Sequence, residues 1–119
     1  MTREILERIM AFLMEKFRGI IVSEPIIIRR RLRVYLDDGS IIDIRYPNNY
    51  EYSLHWQGKR KIIRIDTAPH HPHLRSHPRH IHLFNEDNVI DDEITSFNLD
   101  PTENVEKFML FIIEKRKDP

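Results

Sequence analysis

Between Ile26 and Asp66 residue character changes at every second position, and turn-forming residues interrupt the alternation at short intervals. Ile26, Ile28, Leu32, Val34 and Leu36 fall on one side of the pattern, and Ile27, Arg29, Arg31, Arg33 and Tyr35 on the other. Ile42, Ile44 and Tyr46 repeat it. Tyr50, Tyr52, Leu54 and Trp56 repeat it again, opposite Glu51, Ser53 and His55. A period of two belongs to a strand with one buried face. The interruptions, Asp37-Asp38-Gly39-Ser40, Pro47-Asn48-Asn49 and Gln57-Gly58-Lys59, have room only for hairpin turns. Parallel neighbours would need crossovers of a dozen residues or more. The stretch is therefore predicted to be a four-strand antiparallel meander ending at Arg60–Asp66, with His80–Phe84 as a candidate fifth strand.

The flanks carry the helical period instead. Leu6, Met10, Leu13 and Phe17 form a stripe with Ile5, Ile9 and Phe12 beside it. Thr2 is placed to cap this first helix, and Gly19 suits the position just past its end near Arg18. At the far end Asp100-Pro101-Thr102-Glu103 supplies an N-cap, a proline at the first helical position and a glutamate two residues on. Val105, Phe108, Met109, Ile112 and Ile113 continue that helix to about Lys117. The expectation is one α+β domain over residues 1–119: a four- to five-stranded antiparallel meander with the N-terminal and C-terminal helices packed on one face.

Cysteine is absent, which excludes disulfides and thiolate metal sites. The longest uncharged apolar run, Ile9–Met14, falls far short of the roughly 20 residues of a membrane span. Glu4, Glu7 and Arg8 break up the plan of a signal peptide. These features predict a cytoplasmic protein that makes no membrane contact. Nineteen basic and nineteen acidic side chains cancel overall, yet they are segregated. From His55 to Phe84 Lys59, Arg60, Lys61, Arg64, Arg75 and Arg79 face a single acid, Asp66. From Asn85 to Asn104 there are seven acids and no Lys or Arg. A basic block beside an acidic one points to a polyanionic partner and to a segment able to shield it.

Six of the seven histidines lie in Ala68–His82, punctuated by Pro69, Pro72 and Pro78, which prevent regular structure there. Two chemistries fit. On a strand, His80 and His82 would share a face and grip one ion, with His70, His71 or His73 as a third ligand and Asp66 as a carboxylate. The favoured metal set would be His70, His80 and His82. Alternatively, histidine titrates near neutrality, so paired rings serve as base and acid. His70, His71, His80 and His82 are the candidates for those roles, with Arg64 and Asp66 beside them. His55, Arg31, Arg33, Arg75 and Arg79 are candidates for binding phosphate. No cofactor is required by that chemistry. Tyr52 and Trp56 would stack on a base only if their face were open, and the alternation puts them on the apolar side.

Tyr52-Ser53-Leu54-His55-Trp56-Gln57, followed by Arg64-Ile65-Asp66-Thr67-Ala68-Pro69-His70-His71 and Pro78-Arg79-His80-Ile81-His82, resembles the signature of the TumE-type toxins of toxin–antitoxin pairs. Thr67 stands where that signature has asparagine, and His73 and His77 fall where it varies. The resemblance implies a toxin neutralised by a cognate antitoxin protein. It assigns no catalytic residues. Three functions stay open on the residues alone. The leading one is a metal-independent ribonuclease using the His/Arg cluster. The others are a non-catalytic module binding nucleic acid or protein through a basic sheet face, and a histidine-coordinated metal protein. A long hairpin edge would also suit homodimer formation.

Overall fold

The computed structural model describes residues 2–118. Helix α1 (Thr2–Lys16) leads into a 3-10 turn (Arg18–Ile20). Seven strands follow: β1 (Ile26–Ile28), β2 (Arg31–Tyr35), β3 (Ile41–Asn48), β4 (Glu51–Gln57), β5 (Ile62–Asp66), β6 (His80–Phe84) and β7 (Val89–Asp91). Helix α2 (Pro101–Lys115) closes the order. All seven strands form one antiparallel sheet in which spatial order equals chain order.

The α+β class and the meander hold, and the strand count is corrected from four or five to seven. Two features raise it. Arg29 adopts φ +58°, so the predicted strand Ile26–Leu36 folds back on itself after Ile28 and pairs Ile27 with Leu32. The break also corrects the face of three residues: Ile27 packs toward the core, while Ile26 and Ile28 are exposed. The second feature is β7, which pairs Val89 with His82 and Asp91 with His80, inside the segment read as an acidic connection. Smaller corrections concern ends. Gly19 lies within the 3-10 turn rather than in a left-handed cap, the second turn is Asn49–Tyr50, and α2 stops at Lys115. The Thr2 side chain lies outside the described residues.

Elsewhere the local chemistry acts as read. Gly39 takes φ +85° in the turn between β2 and β3, where a side chain would be strained. Gly58 lies against the Trp56 indole, and a Cβ there would collide with it. Asp100 accepts from the Thr102 amide at 3.0 Å, and the Glu103 carboxylate accepts from the Asp100 amide at 3.1 Å, completing the capping box of α2.

Leu6, Ile9 and Leu13 of α1 and Val105, Phe108, Met109 and Ile112 of α2 are fully buried. They join Leu32, Val34, Ile42, Ile44, Leu54, Trp56, Ile63, Ile65 and Ile81 of the sheet in one apolar cluster. The helices thus consume one sheet face. The opposite face keeps the polar half of each strand, and it is there that β5 and β6 set Arg64 opposite His82 and Asp66 opposite His80.

Candidate imidazole site

His80 and His82 are two apart on β6, so both rings leave the sheet on its polar side. Residues 67–79 contain no strand or helix and fold over that side, leaving His80 only 2 % and His82 8 % exposed. The loop is tied down at its far end. The Ser76 amide donates to Asp91 at 3.1 Å, and the Arg79 guanidinium donates to the Asp92 carboxylate at 3.0 Å and to the Thr95 carbonyl at 2.6 Å. This brings half-buried His71 onto the strand pair. Ring centroids lie 4.7 Å apart for His71–His80, 5.0 Å for His80–His82 and 6.0 Å for His71–His82. One nitrogen from each of the three falls within 4.8 Å of the others.

Main-chain carbonyls orient the two strand rings. His80 Nδ1 is 3.0 Å from the Pro78 carbonyl and His82 Nδ1 is 2.9 Å from the Glu86 carbonyl. A carbonyl only accepts, so each Nδ1 carries the proton and each Nε2 offers a lone pair. Burial lowers the His80 pKa below its ordinary value and favours the neutral ring. Partial burial and the neighbouring rings, His80 first, do the same for His71.

Glu86 reaches the site because Phe84 takes φ +73°, turning the chain sharply at the end of β6. For a bulky side chain that conformation costs about 1–2 kcal/mol. The Glu86 carboxylate accepts two bonds from the Arg64 guanidinium, at 2.7 and 2.6 Å. Arg64 also lies 3.5 Å from His55 Nδ1 and 3.6 Å from Asp66. Burial, and then the Arg64 charge, lower the His55 pKa. Asp66 accepts from the Ala68 amide at 2.8 Å, fixing the start of the loop.

The sequence-predicted residues therefore divide. His71, His80 and His82 converge, with Arg64, Asp66 and His55 bordering them. His70 is exposed on the loop and does not belong to the converging set, so the third ring is His71. Arg33 forms two bonds to Asp43, both at 2.9 Å, and exposed Arg31 lies 3.8 Å from the same carboxylate. Arg75 is exposed beside Asp91, and Arg79 is engaged within the protein. Sequence reasoning missed Glu86 and Asp92. Both sit in the acidic segment, where no spacing marks a residue that pairs across the sheet.

A family model described as "Toxin TumE" matches residues 11–116. No curated protein and no solved structure matches the chain.

Proposed function

The chain belongs to the TumE toxin family, and on that premise we propose that it is the toxin of a toxin–antitoxin pair and acts by cleaving RNA at the imidazole cluster. Membership implies an antitoxin protein as partner. The observation that carries the chemistry is the convergence of His71, His80 and His82 within 4.8 Å, two of them with a fixed Nε2 lone pair. One neutral imidazole takes the proton of a ribose 2′-hydroxyl, and the 2′-oxygen attacks the adjacent phosphorus. The bond to the 5′-oxygen breaks, and a protonated imidazole returns a proton to that oxygen. The products are a 2′,3′-cyclic phosphate and a 5′-hydroxyl, and no metal takes part. His71, half-buried on the loop, is the ring a substrate meets first.

Charge on the pentavalent phosphorus needs a cation. Arg64 supplies it when a phosphate takes the seat of the Glu86 carboxylate, whose paired oxygens occupy the guanidinium fork in the manner of a phosphate. Glu86 is exposed, so its displacement requires no unfolding.

The test uses untagged protein and a labelled single-stranded RNA in EDTA. Cleavage with cyclic-phosphate ends is expected, falling by roughly 100-fold or more in His71→Ala. Intact RNA, or undiminished cleavage by the folded variant, would overturn the mechanism.

One observation favours a second reading, a non-catalytic nucleic-acid binder. Ile28, Arg29, Arg30, Arg31 and Arg45 line a groove of about 590 Å³ at the β1 edge. Binding through it would weaken steeply with salt, vanish in an Arg29→Ala/Arg30→Ala/Arg45→Ala variant and ignore replacement of His71.

A further inference from the structure

Three imidazoles facing one another need something between them. The Nδ1 protons of His80 and His82 are committed to main-chain carbonyls, so their Nε2 atoms are acceptors only. Among the described residues, neither Nε2 makes a hydrogen bond to the protein. Both rings are nearly inaccessible to solvent, and His71 closes over them from the loop. Ring nitrogens brought within 4.8 Å of one another repel when both carry free lone pairs, unless a proton, a water or a cation lies between them.

We propose that His71, His80 and His82 form a binding site for a divalent transition ion of the zinc type. Neutral imidazole nitrogen suits zinc, copper and nickel, whereas calcium and magnesium require oxygen ligands. Three features match such a site. Two ligands come from one strand at an i, i+2 spacing that needs no backbone adjustment. Each of these donates its other ring N–H to a carbonyl, the support that fixes tautomer and orientation in metal-ligating histidines. The third ligand, His71, comes from the loop of residues 67–79 that lies over the strand pair, so the set closes from outside the sheet. Tetrahedral zinc with bonds of about 2.0–2.1 Å sets its nitrogens roughly 3.4 Å apart, closer than the 4.8 Å limit within which these lie. Three protein ligands leave the fourth position to water or a further ligand.

The inference does not rest on RNA cleavage, but it bears on it. The lone pair that would take the 2′-hydroxyl proton is the one that would bind the ion. Occupancy and acid–base cleavage therefore exclude each other, and zinc becomes an inhibitor of the cluster.

Untagged protein dialysed against Zn²⁺ should retain one ion per chain. A His70→Asn/His73→Asn/His77→Asn variant, lacking the exposed loop histidines, should retain it equally. X-ray absorption on the loaded variant should count three imidazoles around the ion. Because His80 and His82 are buried and their replacement endangers the fold, the ligand to remove is His71. His71→Ala should weaken affinity by more than roughly 100-fold, beyond the loss expected for an outer-shell partner. No retained ion, an ion lost with the three exposed histidines, or fewer than three imidazoles in the spectrum would overturn the site. Added Zn²⁺ should suppress RNA cleavage by the wild type, and EDTA should restore it. Cleavage that requires Zn²⁺, or bound zinc in a protein that never cuts RNA, would keep the site and overturn the acid–base reading instead.

Discussion

The two faces of the sheet are covered in opposite ways. On one, two amphipathic helices bury Leu, Ile, Val and Trp side chains with few polar atoms to pair: Asn104 donates to the Tyr46 hydroxyl at 2.9 Å, and among the described residues the buried Trp56 indole N–H finds no partner. On the other, an irregular loop and a tight hairpin cover imidazoles, guanidinium groups and carboxylates, each of which must find a partner or lose its hydration. The apolar face supplies stability that tolerates exchange among residues of similar volume. The polar face holds particular atoms in place: main-chain carbonyls orient His80 and His82, and Glu86 holds the Arg64 fork.

The largest expected effect lies on the apolar side. Phe108→Ala should cost about 3–5 kcal/mol in urea denaturation, since Phe108 is fully buried between helix and sheet. Comparable loss from an equally large change at the half-buried site ring His71 would erase the contrast between the faces. Next is Arg79→Ala, which strands the Asp92 carboxylate, itself without solvent exposure. That should cost about 3 kcal/mol. It should also lower cleavage by loosening the His71 loop, and a stability unchanged within error would show that the loop is held elsewhere. Glu86→Gln should behave differently. An exposed pair of this kind contributes less than about 1 kcal/mol to stability, whereas release of the Arg64 fork should tighten RNA binding by up to about fivefold in a filter-binding assay. Weaker RNA binding would break the reading of Glu86 as occupant of a phosphate seat.

The smallest effect is a pH dependence. The folded His55 pKa lies below the unfolded value of about 6.5, held down by burial and Arg64 against the opposite pull of Gln57, Asp43 and Glu86. The unfolded chain therefore takes up this proton first as pH falls. The contribution is complete above pH 6.5 and is lost as pH drops toward the folded value. Thermal unfolding should occur at lower temperature at pH 5.5 than at pH 7.5, by a margin that narrows in His55→Gln. A margin equal in the two proteins would remove His55 from the account.

Legibility followed the same division. Alternation at Ile42–Tyr46 and Tyr52–Trp56, the Asp38-Gly39 turn and the cap at Asp100 are local signals, and each corresponds to what the chain does. The turn at Arg29 escaped because arginine rarely adopts positive φ. Strand β7 escaped because three residues make no pattern. The pairing of two strand histidines could be read from their spacing. The choice of His71 over His70 could not, because it depends on where a proline-rich loop is pinned by Asp91 and Asp92, far along the chain.

A sheet whose spatial order is its chain order has a kinetic consequence. Every strand finds its partner in the segment made just before or just after it, so no pairing waits for a distant piece of chain, and topology of this kind favours rapid assembly. Once the residues of β7 have emerged during synthesis, all of the strands that frame the imidazoles are available, while α2 has yet to be made. Because α2 is the last element in chain order, the helical side is completed only after every strand that carries the imidazoles has been made.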